Sequence, residues 1–210
     1  MMQMRYIRHG PEQQQKGIFQ MKKSNTKRIV GIGLFTAIVI VLQLISMALR
    51  FGTFSITLVL IPVVVGAALY GVGAGAWLGL VFGFAVLISG DASSFMLVHP
   101  LGTVLTVLCK GAAAGLVSGA VYRLLEKKSV TLAVAVASVL CPITNTGVFL
   151  LGCKLFFMPT ITQWAQSMGF ESVGAYIIGG LVGINFLIEF VINVVLNPAV
   201  VRLISFGKKK

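Results

Sequence analysis

The residues best suited to chemistry lie in runs where every other side chain is apolar. Asn185, Glu189, Asn193 and Asn197 recur every four positions in GINFLIEFVINVVLNPAV, while Leu, Ile, Phe and Val fill the positions between them. On a helix that spacing gathers a carboxylate and three amides into one stripe. Such a stripe either contacts a ligand or bonds neighbouring helices, each bond contributing ~0.6 kcal/mol in a membrane. Lys110 sits about midway along the run that starts at Leu101, too far from either end to extend its ammonium into water. It therefore pairs with Glu189 or meets an anionic group on a ligand, because an uncompensated interior charge is costly. In CPITNTGVF, Pro142 frees a backbone carbonyl one turn earlier, which Thr144, Asn145 and Thr146 can satisfy. Asn145 also offers a donor and an acceptor that suit a neutral polar ligand.

The surroundings of these residues follow from composition. Hydrophobic residues make up 57% of the 210 positions and charged residues 10%, with a mean hydropathy of +0.97. Soluble domains carry about 25% charged residues, so an ordinary cytosolic enzyme is excluded. Seventeen Lys and Arg against five Asp and Glu give a net charge of +12. Those cations flank apolar runs, the pattern of a membrane protein rather than of a nucleic-acid binder. Cys109, Cys141 and Cys153 lie in apolar stretches without CxxC spacing, which speaks against a disulfide framework or a zinc site.

Six apolar runs are read after a polar, basic tail at 1–28: about 29–49, 55–70, 72–89, 101–122, 130–153 and 173–200. A helix needs ~20 residues to cross the bilayer core, and the second run is short for that. Within the tail, 1–20 is expected to be disordered, and Met21 reads as an alternative start. The fold expected is an all-α membrane protein with six transmembrane helices over 29–205 and a basic end at 206–210. An even number of spans puts both termini on one side with Arg123, Lys127 and Lys128, which collects fourteen of the seventeen cations there. The positive-inside rule makes that side the cytoplasm. GVGAGA at 71–76 becomes a cytoplasmic turn, and its glycines permit close helix contact. It is no phosphate loop, since no GK[ST] follows it.

The outer segments combine polar and aromatic residues: Arg50 with Phe51 and Phe54, Asp91 and Phe95 near His99, and Lys154 with Trp164 and Glu171. They suit a lid over a pocket opening outward, or interfacial anchoring. His99 has no second ligand at metal spacing. No HExxH, GxSxG or Walker A motif occurs, so the chain reads as a non-enzyme without cofactor or metal, and uphill transport would draw on an ion gradient or on partner subunits. In RIVGIGLFTAIVIVLQ, Gly33 and Ala37 form a small-xxx-small pair that packs within the bundle or docks a partner helix.

Together, the basic N-terminus, Gly33 and Ala37, SITLVLIPVVVGAALYGVGAGAWLGLVFG at 55–83, SGDASSFMLVHPLGTVLTVLCKGAAAGLVSG at 89–119, CPITNTGVFLLG at 141–152 and NFLIEFVIN at 185–193 resemble the substrate-binding S component of energy-coupling factor (ECF) vitamin importers. The resemblance covers about 21–205. It implies a multi-pass cell-membrane protein that captures a water-soluble vitamin outside the cell. It also implies a transmembrane coupling subunit and two ATPases as partners, with docking through Gly33 and Ala37, where Gly replaces the family's first Ala. The residues expected to face the ligand are Lys110, Asn145, Asn185, Glu189 and Asn193, with Phe51, Phe54, Trp164 and His99 from the outer segments. A cation with amides suits pantothenate; ring stacking on Phe51, Phe54 and Trp164 would suit riboflavin. A self-sufficient proton-coupled transporter using Lys110 and Glu189 is the alternative, and a ligand-free scaffold a third reading.

Overall fold

A computed structural model describes residues 11–48 and 58–208, which are helical apart from short connections. In chain order the helices are α1 (Pro11–Ala48), α2 (Leu60–Tyr70), α3 (Val72–Ser89), α4 (Ser93–Val98), α5 (Pro100–Leu125) and α6 (Val130–Gly152). A π-helical turn, Cys153–Phe157, carries α6 into α7 (Met158–Ser167). Then come α8 (Val173–Tyr176), a second π-helical stretch at Ile177–Val182, α9 (Gly183–Val195) and α10 (Asn197–Lys208).

Among the described residues, four helical stretches are long and apolar enough to cross a membrane: Asn25–Met47, Val72–Ser89, Pro100–Leu125 and Val130–Ser167. Val173–Val182 and Asn185–Val195, bent by 47°, make a fifth if they count as one span. The apolar run expected at 55–70 is represented by α2, whose 11 residues rise only about 16 Å. Its expected beginning, at 55–57, lies outside the described residues, as do Phe51 and Phe54. Of the segment 1–20 expected to be disordered, 1–10 lies outside the described residues, and 11–20 falls within the first turns of α1. Pro11 suits a first helical position, and EQQQK extends an existing helix at little cost, since nucleation is the expensive step.

The frame is set by local chemistry. Gly71 adopts φ +96°, a conformation open to glycine, and turns α2 directly into α3. Pro100 opens α5, and the His99 ring caps it, Nδ1 accepting from the Gly102 N–H at 2.9 Å. The Ser129 side chain caps α6 by accepting from the Leu132 N–H at 3.3 Å.

The main packing seam runs between α3 and α5. Gly75, Gly79 and Gly83 recur every four residues on α3, as do Gly111, Gly115 and Gly119 on α5. A Cβ at Gly79 would fall on the Gly111 carbonyl oxygen, and one at Gly115 on that of Gly75. At Gly83 it would lie 2.9 Å from the Val107 oxygen. Backbones approach this closely only without side chains, and such contact is what associates helices in lipid.

Two apolar clusters complete the molecule. The larger joins α1, α2, α3, α5, α6 and α10 around Leu60, Val64, Leu78, Val134 and Ile204. The smaller and more aromatic joins Cys153, Phe157, Ile161, Ala165 and Tyr176, with Phe95, Phe149 and Trp164 packed against it.

Candidate functional site

Where the two clusters meet, the bundle encloses a cavity of about 530 Å³, within the size range of small-molecule sites. One wall is a single face of α5: Thr103, Thr106, Val107 and Lys110 all line the space. Their spacing of three, four and seven is that of neighbours on one helical face. The glycine seam brings α3 against α5, and Phe82 and Val86 of α3 complete this wall. Asn145 and Phe149, four apart on α6, make the next wall, and Asn185, Phe186 and Glu189 of α9 another.

Lys110 lies deep in this space. Its ammonium stands 5.7 Å from the Phe82 ring centroid and 5.3 Å from that of Phe149, within cation–π reach of both. The Glu189 carboxylate is near enough to act on it electrostatically. Glu189 is 8% exposed and Asn145 5%, so charged and amide groups from three helices are held largely away from bulk solvent. There an ionic or hydrogen-bonding ligand group interacts far more strongly than in water.

The roof is aromatic. Phe95 of α4 makes edge-on contacts with Phe149 at 5.6 Å, Phe157 at 4.9 Å and Trp164 at 5.4 Å between ring centroids. Both π-helical turns border the space, the first through Phe157 and the second through Leu181 and Val182. Such turns occur frequently at functional sites, where they re-aim side chains. Asp91 reaches the wall from the α3–α4 connection, and its Oδ2 lies 3.5 Å from Nε2 of Gln43, a buried residue of α1.

Of the residues singled out from sequence, Lys110, Asn145, Trp164, Asn185 and Glu189 line the same cavity. Two others have different positions. Asn193 is not among the lining residues; its Nδ2 donates to the Glu189 backbone oxygen at 2.8 Å. His99 is exposed, caps α5 and packs beside Phe156, with ring centroids 5.6 Å apart, and it does not line the cavity. Lys154 and Trp164, read as part of an outer segment, are helical. Gly33 and Ala37 are exposed on α1, and a Cβ at Gly33 would meet nothing within 4 Å. Sequence reasoning missed Thr106 and Tyr176. Thr106 was detectable as the polar residue one turn before Lys110; Tyr176 carried no such signal.

Comparison with known proteins gives two matches. The family model described as "ECF transporter, substrate-specific component" matches residues 27–201. The pantothenic acid transporter PanT of Lactococcus lactis subsp. cremoris (strain MG1363) is 28% identical over 203 residues, covering 88% of this chain and 97% of that protein. No solved structure matches significantly.

Proposed function

Because the chain belongs to the family of ECF transporter substrate-specific components, we propose that it captures pantothenate in the cavity under the aromatic roof and delivers it to an energising module. The observation that carries this reading is Lys110, an ammonium held over two rings in a cavity lined by amides. A carboxylate entering there gains a charge-assisted contact, while Asn145, Asn185 and Glu189 face the hydroxyls and amide of the same ligand. The similarity to a pantothenic acid transporter over nearly its whole length supports the same substrate. Riboflavin is less well supported. Of the three rings expected to stack on it, Phe51 and Phe54 lie outside the described residues, and Trp164 already meets Phe95 edge-on at 74°.

In this reading six segments cross the cell membrane, α2 with the residues before it forming the second, and both termini are cytoplasmic. The exposed small residues Gly33 and Ala37 offer a transmembrane coupling subunit a face for close helix contact. Two ATPase subunits supply the hydrolysis. Reconstitution in liposomes tests this division of labour. The chain alone is expected to bind radiolabelled pantothenate without accumulating it, and accumulation is expected only with the module and ATP. Accumulation by the chain alone under a proton gradient contradicts the reading and favours a self-sufficient transporter.

A further inference from the structure

The cavity carries a charged group besides Lys110 and Glu189. Asp91 lines it from the connection between α3 and α4, beside the aromatic roof. Its side chain is partly exposed, so a molecule in the cavity can touch it. Ser94, which is exposed, lines the same end.

Asp91 and Lys110 stand at different depths. A Cβ at Gly79 would strike the Gly111 carbonyl, and one at Gly83 would lie 2.9 Å from that of Val107, so Lys110 is level with the middle of α3. Its ammonium accordingly stands 5.7 Å from the Phe82 ring centroid. From Phe82 the helix rises about 10 Å to Ser89, and Asp91 follows two residues later. The cavity therefore runs from a cation beside Phe82 to a carboxylate beside the roof, a separation on the order of 10 Å. Glu189 acts electrostatically on Lys110 and offsets its charge. Asp91 thus leaves the roof end the more negative, and a bound anion turns its carboxylate away from that end. Asp91 Oδ2 lies 3.5 Å from Gln43 Nε2, at the outer limit for a hydrogen bond. A carboxylate has about four acceptor positions, more than this one amide can fill.

We propose that Asp91 reads the terminal hydroxyl of pantothenate, which binds with its carboxylate at Lys110 and its hydroxyl end under the roof. Eight covalent bonds separate the carboxylate carbon from that hydroxyl oxygen, about 9 Å when extended, which matches the span between the two charges. A hydroxyl that donates to an ionised carboxylate makes one of the stronger hydrogen bonds. The second hydroxyl and the amide are left to Asn185 and Glu189. Asp91 is thereby a specificity-determining residue, in a role that deepens the pantothenate reading and rests on it.

The test compares equilibrium affinities for pantothenate and for N-(2-hydroxy-3,3-dimethylbutanoyl)-β-alanine, which lacks only the terminal hydroxyl. The proteins are the wild type, Asp91→Ala and Asp91→Asn. Wild type is expected to prefer pantothenate by about tenfold or more. Asp91→Ala loses that preference, because pantothenate binds more weakly while the analogue does not. Asp91→Asn retains the size of the side chain and one acceptor oxygen, so it keeps part of the preference and serves as the test should the alanine variant fail to fold. Equal weakening of both ligands, as a purely structural contact with Gln43 would give, overturns the proposal. So does a preference that survives both substitutions at full strength, or a wild type without one. These outcomes leave pantothenate capture standing. Wild type that binds neither ligand overturns the pantothenate reading, and this proposal with it.

Discussion

The α3–α5 wall of the cavity and its aromatic roof are packed by opposite means. The wall removes side chains: three glycines on α3 and three on α5 bring the backbones together, and no Cβ fits at Gly79 or Gly111 without striking a carbonyl. The roof adds side chains: Phe95 touches three other aromatic rings edge-on, and the helices that carry it are short or interrupted by π-helical turns. Backbone contact leaves few ways to repack and fixes the position of everything mounted on it, which here includes Thr106 and Lys110. Ring contacts are worth about 0.5–1.5 kcal/mol each and can be broken and remade. A binding protein needs both properties: a rigid reader of the ligand and a cover that parts to admit it.

The comparison is broken most severely at the seam. Gly79→Leu drives a branched side chain into the Gly111 carbonyl and is expected to abolish the folded protein, read as loss of a monodisperse peak and of a thermal transition in detergent. A variant that folds normally would show that the seam is loose. Lys110→Ala leaves both packing regions intact and is expected to weaken pantothenate binding by at least about 1.4 kcal/mol, or tenfold; unchanged affinity removes the carboxylate assignment. Phe95→Ala acts on the roof alone. It is expected to leave the fold in place and speed ligand release by about five- to thirtyfold, in keeping with one or two lost ring contacts worth ~1–2 kcal/mol together, as a stopped-flow measurement would read. An unchanged release rate would mean the roof is not the way out. His99→Ala should have the smallest effect on binding, with stability falling by about 1 kcal/mol through the lost helix cap. A large loss of affinity at normal stability would instead return His99 to the ligand.

Much of the architecture is legible in the sequence because lipid imposes a simple rule. Val72–Ser89 coincides with the third apolar run, and α5 extends the fourth by only a few residues. Polar residues inside such runs had to face the interior, so Lys110, Asn145, Asn185 and Glu189 were identifiable before any coordinates. The stripe drifts from the cavity because a spacing of four residues advances about 40° beyond a full turn at each step. By Asn193 the helix has rotated about 80° from Asn185, and the amide turns to the backbone of Glu189 instead. His99 caps α5 and does not line the cavity; a lone imidazole before a proline looks alike as a cap and as a ligand. The π-helical turns left no compositional trace, and the seam showed only as glycines whose partner helix the sequence does not name. Thr106, one turn before Lys110, was passed over because a threonine in a helix ordinarily bonds its own backbone.

The central claim, capture of pantothenate in the cavity beside Lys110, is tested most directly by asking what the protein carries. The chain is purified in detergent from cells grown with pantothenate, washed, denatured, and the released small molecules identified and quantified by mass spectrometry. The account predicts pantothenate in near-stoichiometric amount from wild type and a strongly reduced yield from Lys110→Ala. Wild-type protein that releases no pantothenate and fails to take it up when it is added, or that carries a different vitamin in its place, contradicts it.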